Sequence, residues 1–287
     1  MACGKTTIAQ EPDSTMSVIF LVILAIAALP VVLAYGYAIV TFAIFPLVTR
    51  RDPDPAPGVR RDRARAFAIE GAAQLWAFCV AWMHLAPSPR IVCPGLGRPI
   101  VLLPGYTETA GTLWILGRRL NSLTGRPVAA LNHRPGLYAS IKRLACGAMD
   151  DIERIRALTG GGEVDLVGHS MGGLVSRYLV ERLGFNGVRA IVTLGTPHEG
   201  ARLARTRTGA CATQMIPGSD FLELLKEGNP AAPVVRLASV GSLVDNIVQP
   251  VSSAVAPRGE HVWFGDVAHV GLLFDPAVAR EVARLLS

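Results

Sequence analysis

Val164-Asp165-Leu166-Val167 runs directly into Gly168-His169-Ser170-Met171-Gly172, and that into Gly173-Leu174-Val175-Ser176-Arg177-Tyr178-Leu179-Val180. A short apolar run is followed by G-x-S-x-G and then by apolar residues at helical spacing. Strand, sharp turn and helix is the context in which this pentapeptide carries a nucleophilic serine. The turn holds the serine in a strained backbone conformation, and side chains at Gly168 and Gly172 would collide with neighbouring backbone. The strain leaves the hydroxyl where a base and a substrate can both reach it. The competing reading is a glycine-rich turn around a buried serine, and the flanking strand and helix weigh against it.

Outward from Ser170 the chain alternates between two periodicities. Residues 99–103, 127–131, 164–167, 188–194, 233–240 and 261–264 read as apolar strands of the kind a buried parallel sheet requires. Residues 112–123 and 139–158 read as helices, the second with Ile141, Leu144, Ala148, Ile152, Ile155 and Leu158 at helical spacing. Asp275-Pro276 starts a closing helix. This order predicts an α/β domain over 91–287, a mainly parallel sheet flanked by helices. Sites in such sheets lie beyond the carboxyl ends of the strands. Residues 197–232 form an insertion, with a short helix at Phe221-Leu222-Glu223-Leu224-Leu225, expected to serve as a lid or as a fixed cap that shapes the pocket.

A serine hydroxyl needs a general base within hydrogen-bond reach. Of the six histidines, His84 lies upstream of the domain, His169 points away across the turn, and His261 starts a strand. His133 and His198 follow strands and are expected to line the pocket. His269 alone follows the last strand, in a loop of small residues, and is the expected base. An acid must orient that histidine and stabilise its imidazolium. Asp245, directly after strand 233–240, is preferred; Asp266 is the rival, read as a turn former. The tetrahedral intermediate needs backbone donors: the N–H of Met171, after the nucleophile, and that of Tyr106, in the loop Leu103-Pro104-Gly105-Tyr106-Thr107.

Leu103-Pro104-Gly105-Tyr106, Gly168 to Gly173, Gly195-Thr196-Pro197-His198-Glu199-Gly200, Asp245-Asn246-Ile247-Val248 and His269-Val270-Gly271-Leu272-Leu273 together resemble the bacterial triacylglycerol lipase and esterase family of α/β-hydrolases. The resemblance covers about residues 98–287. It implies the α/β-hydrolase fold, a catalytic triad of Ser170, Asp245 and His269, and Tyr106 and Met171 as oxyanion donors. Pro104 departs from the histidine that usually precedes the glycine. Some related lipases hold a structural calcium ion. The carboxylate pattern for one is not evident here, so no metal and no cofactor are expected.

The first ninety residues are of another material. Residues 17–48 carry no charge, and as a helix would be about 48 Å long, against roughly 30 Å of hydrocarbon. A transmembrane anchor is expected, after a disordered N-terminus over 1–16. The rival, a signal peptide, has a shorter apolar core. Residues 49–65 read as a Pro/Arg-rich linker. Residues 66–90 hold an amphipathic helix with Glu70, Gln74, Ala77, Ala81 and His84 on one narrow stripe, expected in the headgroup region or packed on the catalytic domain. The placement expected is a bacterial inner membrane. Arginines at 50, 51, 60, 61, 63 and 65 should stay cytoplasmic. One span then puts the catalytic domain on the same side, two spans on the other, and the sequence leaves both open.

The net charge of +6 is modest, and that arginine cluster comes with no nucleic-acid motif. The five cysteines form no metal spacing and leave a bridge such as Cys146 to Cys211 open. The function expected is a membrane-anchored serine hydrolase of carboxylic esters, with lipid acyl esters as substrates and no readable protein partner. The alternatives are a phospholipase or acyltransferase with the same triad, and a non-catalytic membrane scaffold on a hydrolase fold.

Overall fold

The computed structural model describes residues 14–49, 53–133, 139–229 and 234–287. Seven strands form one sheet: β1 (Arg90–Cys93), β2 (Ile100–Leu103), β3 (Val128–Ala130), β4 (Val164–His169), β5 (Val188–Leu194), β6 (Arg236–Ser242) and β7 (Glu260–Phe264). Their order across the sheet is β1-β3-β2-β4-β5-β6-β7. β1 runs antiparallel to β3, and every other pairing is parallel. β4, which delivers Ser170, lies at the centre, where the chain reverses the direction in which it adds strands.

Alternating side chains put a separate core on each face of the sheet. Val101 and Leu103 of β2 and Leu166 of β4 join α4 (Ile141–Thr159) and α5 (Met171–Glu181) on one side. Ile100, Leu102 and Val167 join α3 (Trp114–Thr124) and α8 (Pro276–Leu285) on the other. The closing helix starts as its sequence predicts. The Asp275 carboxylate accepts N–H groups of Ala277 and Val278, and Pro276 opens the first turn.

Several elements differ from the sequence expectation. β1 was not expected; with only four residues and a half-exposed pattern it carries little periodic signal. β6 runs over Arg236–Ser242 rather than 233–240: Val234 and Val235 are not in the strand, and residue 233 lies outside the described ones. The insertion holds α6 (Ala210–Gln214), α7 (Asp220–Glu227) and a 3-10 turn over Arg202–Thr206. Cys146 and Cys211 are free thiols, not a bridge. Of the N-terminus expected to be disordered, residues 1–13 lie outside the described ones and residues 14–16 are helical.

The N-terminal third forms two helices, α1 (Ser14–Thr49) and α2 (Arg63–Val80), the latter running into a 3-10 turn over Ala81–Leu85. Both helices are long and apolar enough to cross a membrane, over Leu21–Ala43 and Arg63–Leu85. α2 nevertheless packs on the sheet domain. Arg65 pairs with Asp266 at 2.6 Å and Asp275 at 2.5 Å, and the Trp76 indole donates to the Gly111 carbonyl at 2.9 Å. The polar stripe of α2 turns partly inward: Glu70 is fully buried, while Phe78 and Trp82 are 44% and 65% exposed. α1 lies against α2 through Tyr35 and Phe42, whose rings both meet Phe67, and Ala34, Ala38 and Thr41 are buried about one helical turn apart. Tyr35 fills the space a side chain at Gly71 would need.

Candidate active site

Ser170 stands between β4 and α5 with φ 52° and ψ −121°, a backbone region that few residues other than glycine adopt. Its N–H donates to the Leu194 carbonyl at 2.8 Å and its carbonyl accepts from the Gly173 N–H at 3.1 Å, so the strained turn is held from both sides. A Cβ at Gly172 would run into the carbonyls of Leu103 and Pro104. Only glycine lets the end of β2 approach the elbow this closely. That approach carries the loop after β2 to Ser170: a Cβ on Gly105 would lie 3.0 Å from the serine Cβ. Thr107 in the same loop has φ 61°.

The loop after β6 supplies Asp245 and the loop after β7 supplies His269. The imidazole Nδ1–H of His269 donates to Asp245 Oδ2 at 2.9 Å, which leaves Nε2 as the acceptor. The other carboxylate oxygen accepts the N–H groups of Ile247 at 2.8 Å and Val248 at 2.7 Å, so the acid is itself fixed. Burial works to lower the His269 pKa, but the carboxylates around it, Asp245 foremost with Glu70 and Glu108, together outweigh it and the pKa is raised. Ser170 and His269 line one cavity of about 360 Å³ together with Tyr106. The Tyr106 hydroxyl donates to the Thr208 carbonyl at 2.9 Å and so ties the loop after β2 to the insertion. Met171 is the first residue of α5, where a helix does not use the N–H internally.

The other histidines have different surroundings. His169 points away from the serine: its Nδ1 meets Glu108 at 2.8 Å and its Nε2 meets the His269 carbonyl at 3.1 Å. His133 and His198 do not line the cavity, contrary to expectation. His133 reaches the Gly105 carbonyl at 2.8 Å. His198 is buried between Arg177 and Thr193 at 3.1 Å from each, and burial followed by the arginine charge pushes its pKa well below the usual range. Asp266, the rival acid, pairs instead with Arg65 of α2.

Three supporting residues escaped the sequence reading. The buried Glu108 carboxylate accepts the Gly105 N–H at 2.6 Å as well as bonding His169. Burial works to raise its pKa, but His169 overrides it and the pKa is lowered. Asn246 accepts the His269 N–H at 3.2 Å and donates to the Thr41 hydroxyl of α1 at 2.8 Å. Glu70 of α2 accepts the Gly271 N–H at 2.9 Å and the Gln74 amide at 3.1 Å, and burial raises its pKa. Asn246 sits within a motif the sequence did mark. The helical stripe marked Glu70 but not its partner, and nothing in the local pattern announces Glu108; their partners lie 201 and 61 residues away. Among the described residues no cluster of three or more His, Cys, Asp or Glu is arranged to hold a metal ion.

A family model described as alpha/beta hydrolase fold matches residues 98–209. This covers the loop after β2 and the serine turn and stops short of Asp245 and His269. A triacylglycerol lipase of Pseudarthrobacter phenanthrenivorans is 43% identical over 53 residues, 18% of this chain and 16% of that one. One of Burkholderia plantarii is 43% identical over 53 residues, with 14% of its length covered. The chain thus spans about a sixth of these curated relatives. Among solved structures, Aspergillus fumigatus lipase B superposes with a TM-score of 0.55 at 21% identity, over 65% of this chain and 51% of that one. Bacillus licheniformis lipase BlEst2 in its mature form gives 0.55 at 16% identity, over 66% and 91%. At such identities the superpositions speak for the fold.

Proposed function

Because this chain has the α/β-hydrolase fold, we propose that it is a membrane-anchored serine hydrolase of carboxylic esters, with lipid acyl esters as its substrates. The observation that carries the reading is the 2.9 Å bond from His269 to Asp245 on the wall of the cavity that also receives Ser170. His269 Nε2 takes the hydroxyl proton as Ser170 attacks the ester carbonyl. The negative oxygen of the tetrahedral intermediate is received by the N–H groups of Tyr106 and Met171. Collapse expels the alcohol, which takes the proton from His269. Water, deprotonated by the same histidine, then releases the acid and restores the serine. Asp245 keeps the imidazole in the required tautomer and stabilises it while it is charged.

The 53-residue similarity to triacylglycerol lipases and the apolar lining of the cavity support a lipid ester. The charge-free helix α1, whose Leu21–Ala43 segment has mean hydropathy 2.3, supports an anchor. The fold itself does not choose among esterase, phospholipase and acyltransferase. The test is the Ser170→Ala protein in detergent, assayed on p-nitrophenyl acyl esters and with a fluorophosphonate probe. Labelling is expected to vanish and turnover to fall to about 10³–10⁴-fold over water at most. A parent chain that neither labels nor turns over would point to a non-catalytic scaffold.

A further inference from the structure

The cavity at Ser170 is not closed by the sheet domain alone. Tyr37 of α1 and Gln74, Ala77, Phe78 and Ala81 from α2 and its 3-10 extension form one side of it. Arg207, from the insertion, stands at the rim beside Tyr37. Its guanidinium lies over the Tyr37 ring, 5.6 Å from the centroid, and donates to the Tyr37 hydroxyl at 2.5 Å. Arg207 is exposed, and among the described residues no carboxylate pairs with it.

The depth of this rim follows from α1. The apolar segment of α1 long enough to cross a bilayer, Leu21–Ala43, ends within two helical turns of Tyr37, so the rim stands close to the edge of the hydrocarbon. The described side chains from Ile19 to Leu33 are largely exposed, burial begins at Ala34, and Ile39 and Val40 stay 57% and 55% exposed. The free part of the helix is therefore the part that needs lipid around it. Trp82 and Leu85, 65% and 79% exposed, extend the apolar surface beside the cavity. Tyrosine and tryptophan favour the level where chains meet headgroups, and arginine extends to the phosphate layer just outside.

Resting on the ester-hydrolase reading above, we propose that the cavity takes a glycerophospholipid directly from the bilayer, with Arg207 holding its phosphate at the rim and one acyl ester reaching Ser170. A planar guanidinium matches two phosphate oxygens, and the apolar wall from α1 and α2 accepts the chain. Hydrolysis breaks the acyl C–O bond. The hydroxyl of water ends on the acyl carbon and its proton on the glycerol oxygen. The products are a fatty acid and a lysophospholipid that keeps the phosphate.

The test compares kcat/KM of the full-length chain on phosphatidylglycerol and on diacylglycerol with the same acyl chains, each diluted in the same neutral detergent micelles. The parent is expected to favour the phospholipid by about 10-fold or more, the scale of a charge-assisted hydrogen bond. Arg207→Gln should bring the ratio close to one and Arg207→Lys should keep part of it. Because the ratio is internal to each protein, it remains readable when a variant loses overall rate. A parent ratio of one or below, or a ratio unmoved in Arg207→Gln, overturns the inference. If that happens while p-nitrophenyl butyrate is still cleaved in a Ser170-dependent way, the hydrolase reading stands alone. If no ester is cleaved, both fall.

Discussion

At the scale of single residues the proposed chemistry depends on one carboxylate. Asp245 holds His269 Nδ1 through Oδ2 and is anchored by two backbone N–H groups through Oδ1. Asp245→Asn preserves the shape and presents the wrong hydrogen-bonding partner, so kcat is expected to fall by up to about 10⁴-fold. Steady-state kinetics on a soluble ester reads this. The base must be neutral to accept the serine proton, so activity is lost as pH falls through the His269 pKa. That pKa is raised, which puts the acidic limb of kcat/KM above the ordinary histidine value of about 6.5. In Asp245→Asn the residual activity should show that limb at lower pH. An unmoved limb would remove Asp245 from its assigned place.

The choice between Asp245 and Asp266 also shows how far a sequence goes at this scale. Both follow strands, and spacing alone keeps them as rivals. They are separated by Arg65, 201 residues before Asp266, which engages that carboxylate on the surface. Ser170 was readable because its turn is local. Glu108 and His169 were not readable as a pair, since their partnership exists only once β2 and β4 lie side by side.

At the scale of elements, the central parallel strands β2, β4 and β5 were legible because they are largely apolar and buried on both faces. The four-residue β1 was not, and the stripe on α2 gave the residues but not the direction they face. Glu70 shows why: a carboxyl at helical spacing with Gln74 looks like a solvated face until Gly271 closes over it. Glu70→Ala strands the Gly271 N–H and should destabilise by about 1–3 kcal/mol. Glu70→Gln retains an acceptor and should cost less. Thermal unfolding in detergent checks both, with the lower Tm expected for the alanine variant. Equal values would mean that the bond to Gly271 contributes nothing.

At the scale of the whole molecule, the chain couples a sheet domain to a helix that leaves it. With α1 embedded, the full-length protein should remain in the membrane pellet after alkaline carbonate extraction and leave it only with detergent. Release by carbonate alone would reduce α1 to a surface contact. The sidedness of the sheet domain follows from whether α2 crosses as well. Its burial of Glu70 and its ties through Arg65 and Trp76 weigh against a crossing. Fluorophosphonate labelling of Ser170 from the cytoplasmic side only, in inverted vesicles and not in intact cells, is the expected result.

The Thr41–Asn246–His269 relay makes the timing of biogenesis a matter of enzymology. A leader that is cut away takes nothing from the machinery it delivers, whereas α1 supplies Tyr37 to the cavity and Thr41 to the residue that steadies the base. On the proposed anchored-hydrolase reading, a newly made chain that has not met a bilayer would be an unfinished catalyst, harmless to esters around the ribosome. Cell-free translation with and without lipid nanodiscs reads this directly: turnover per labelled molecule should rise when α1 has a bilayer to enter.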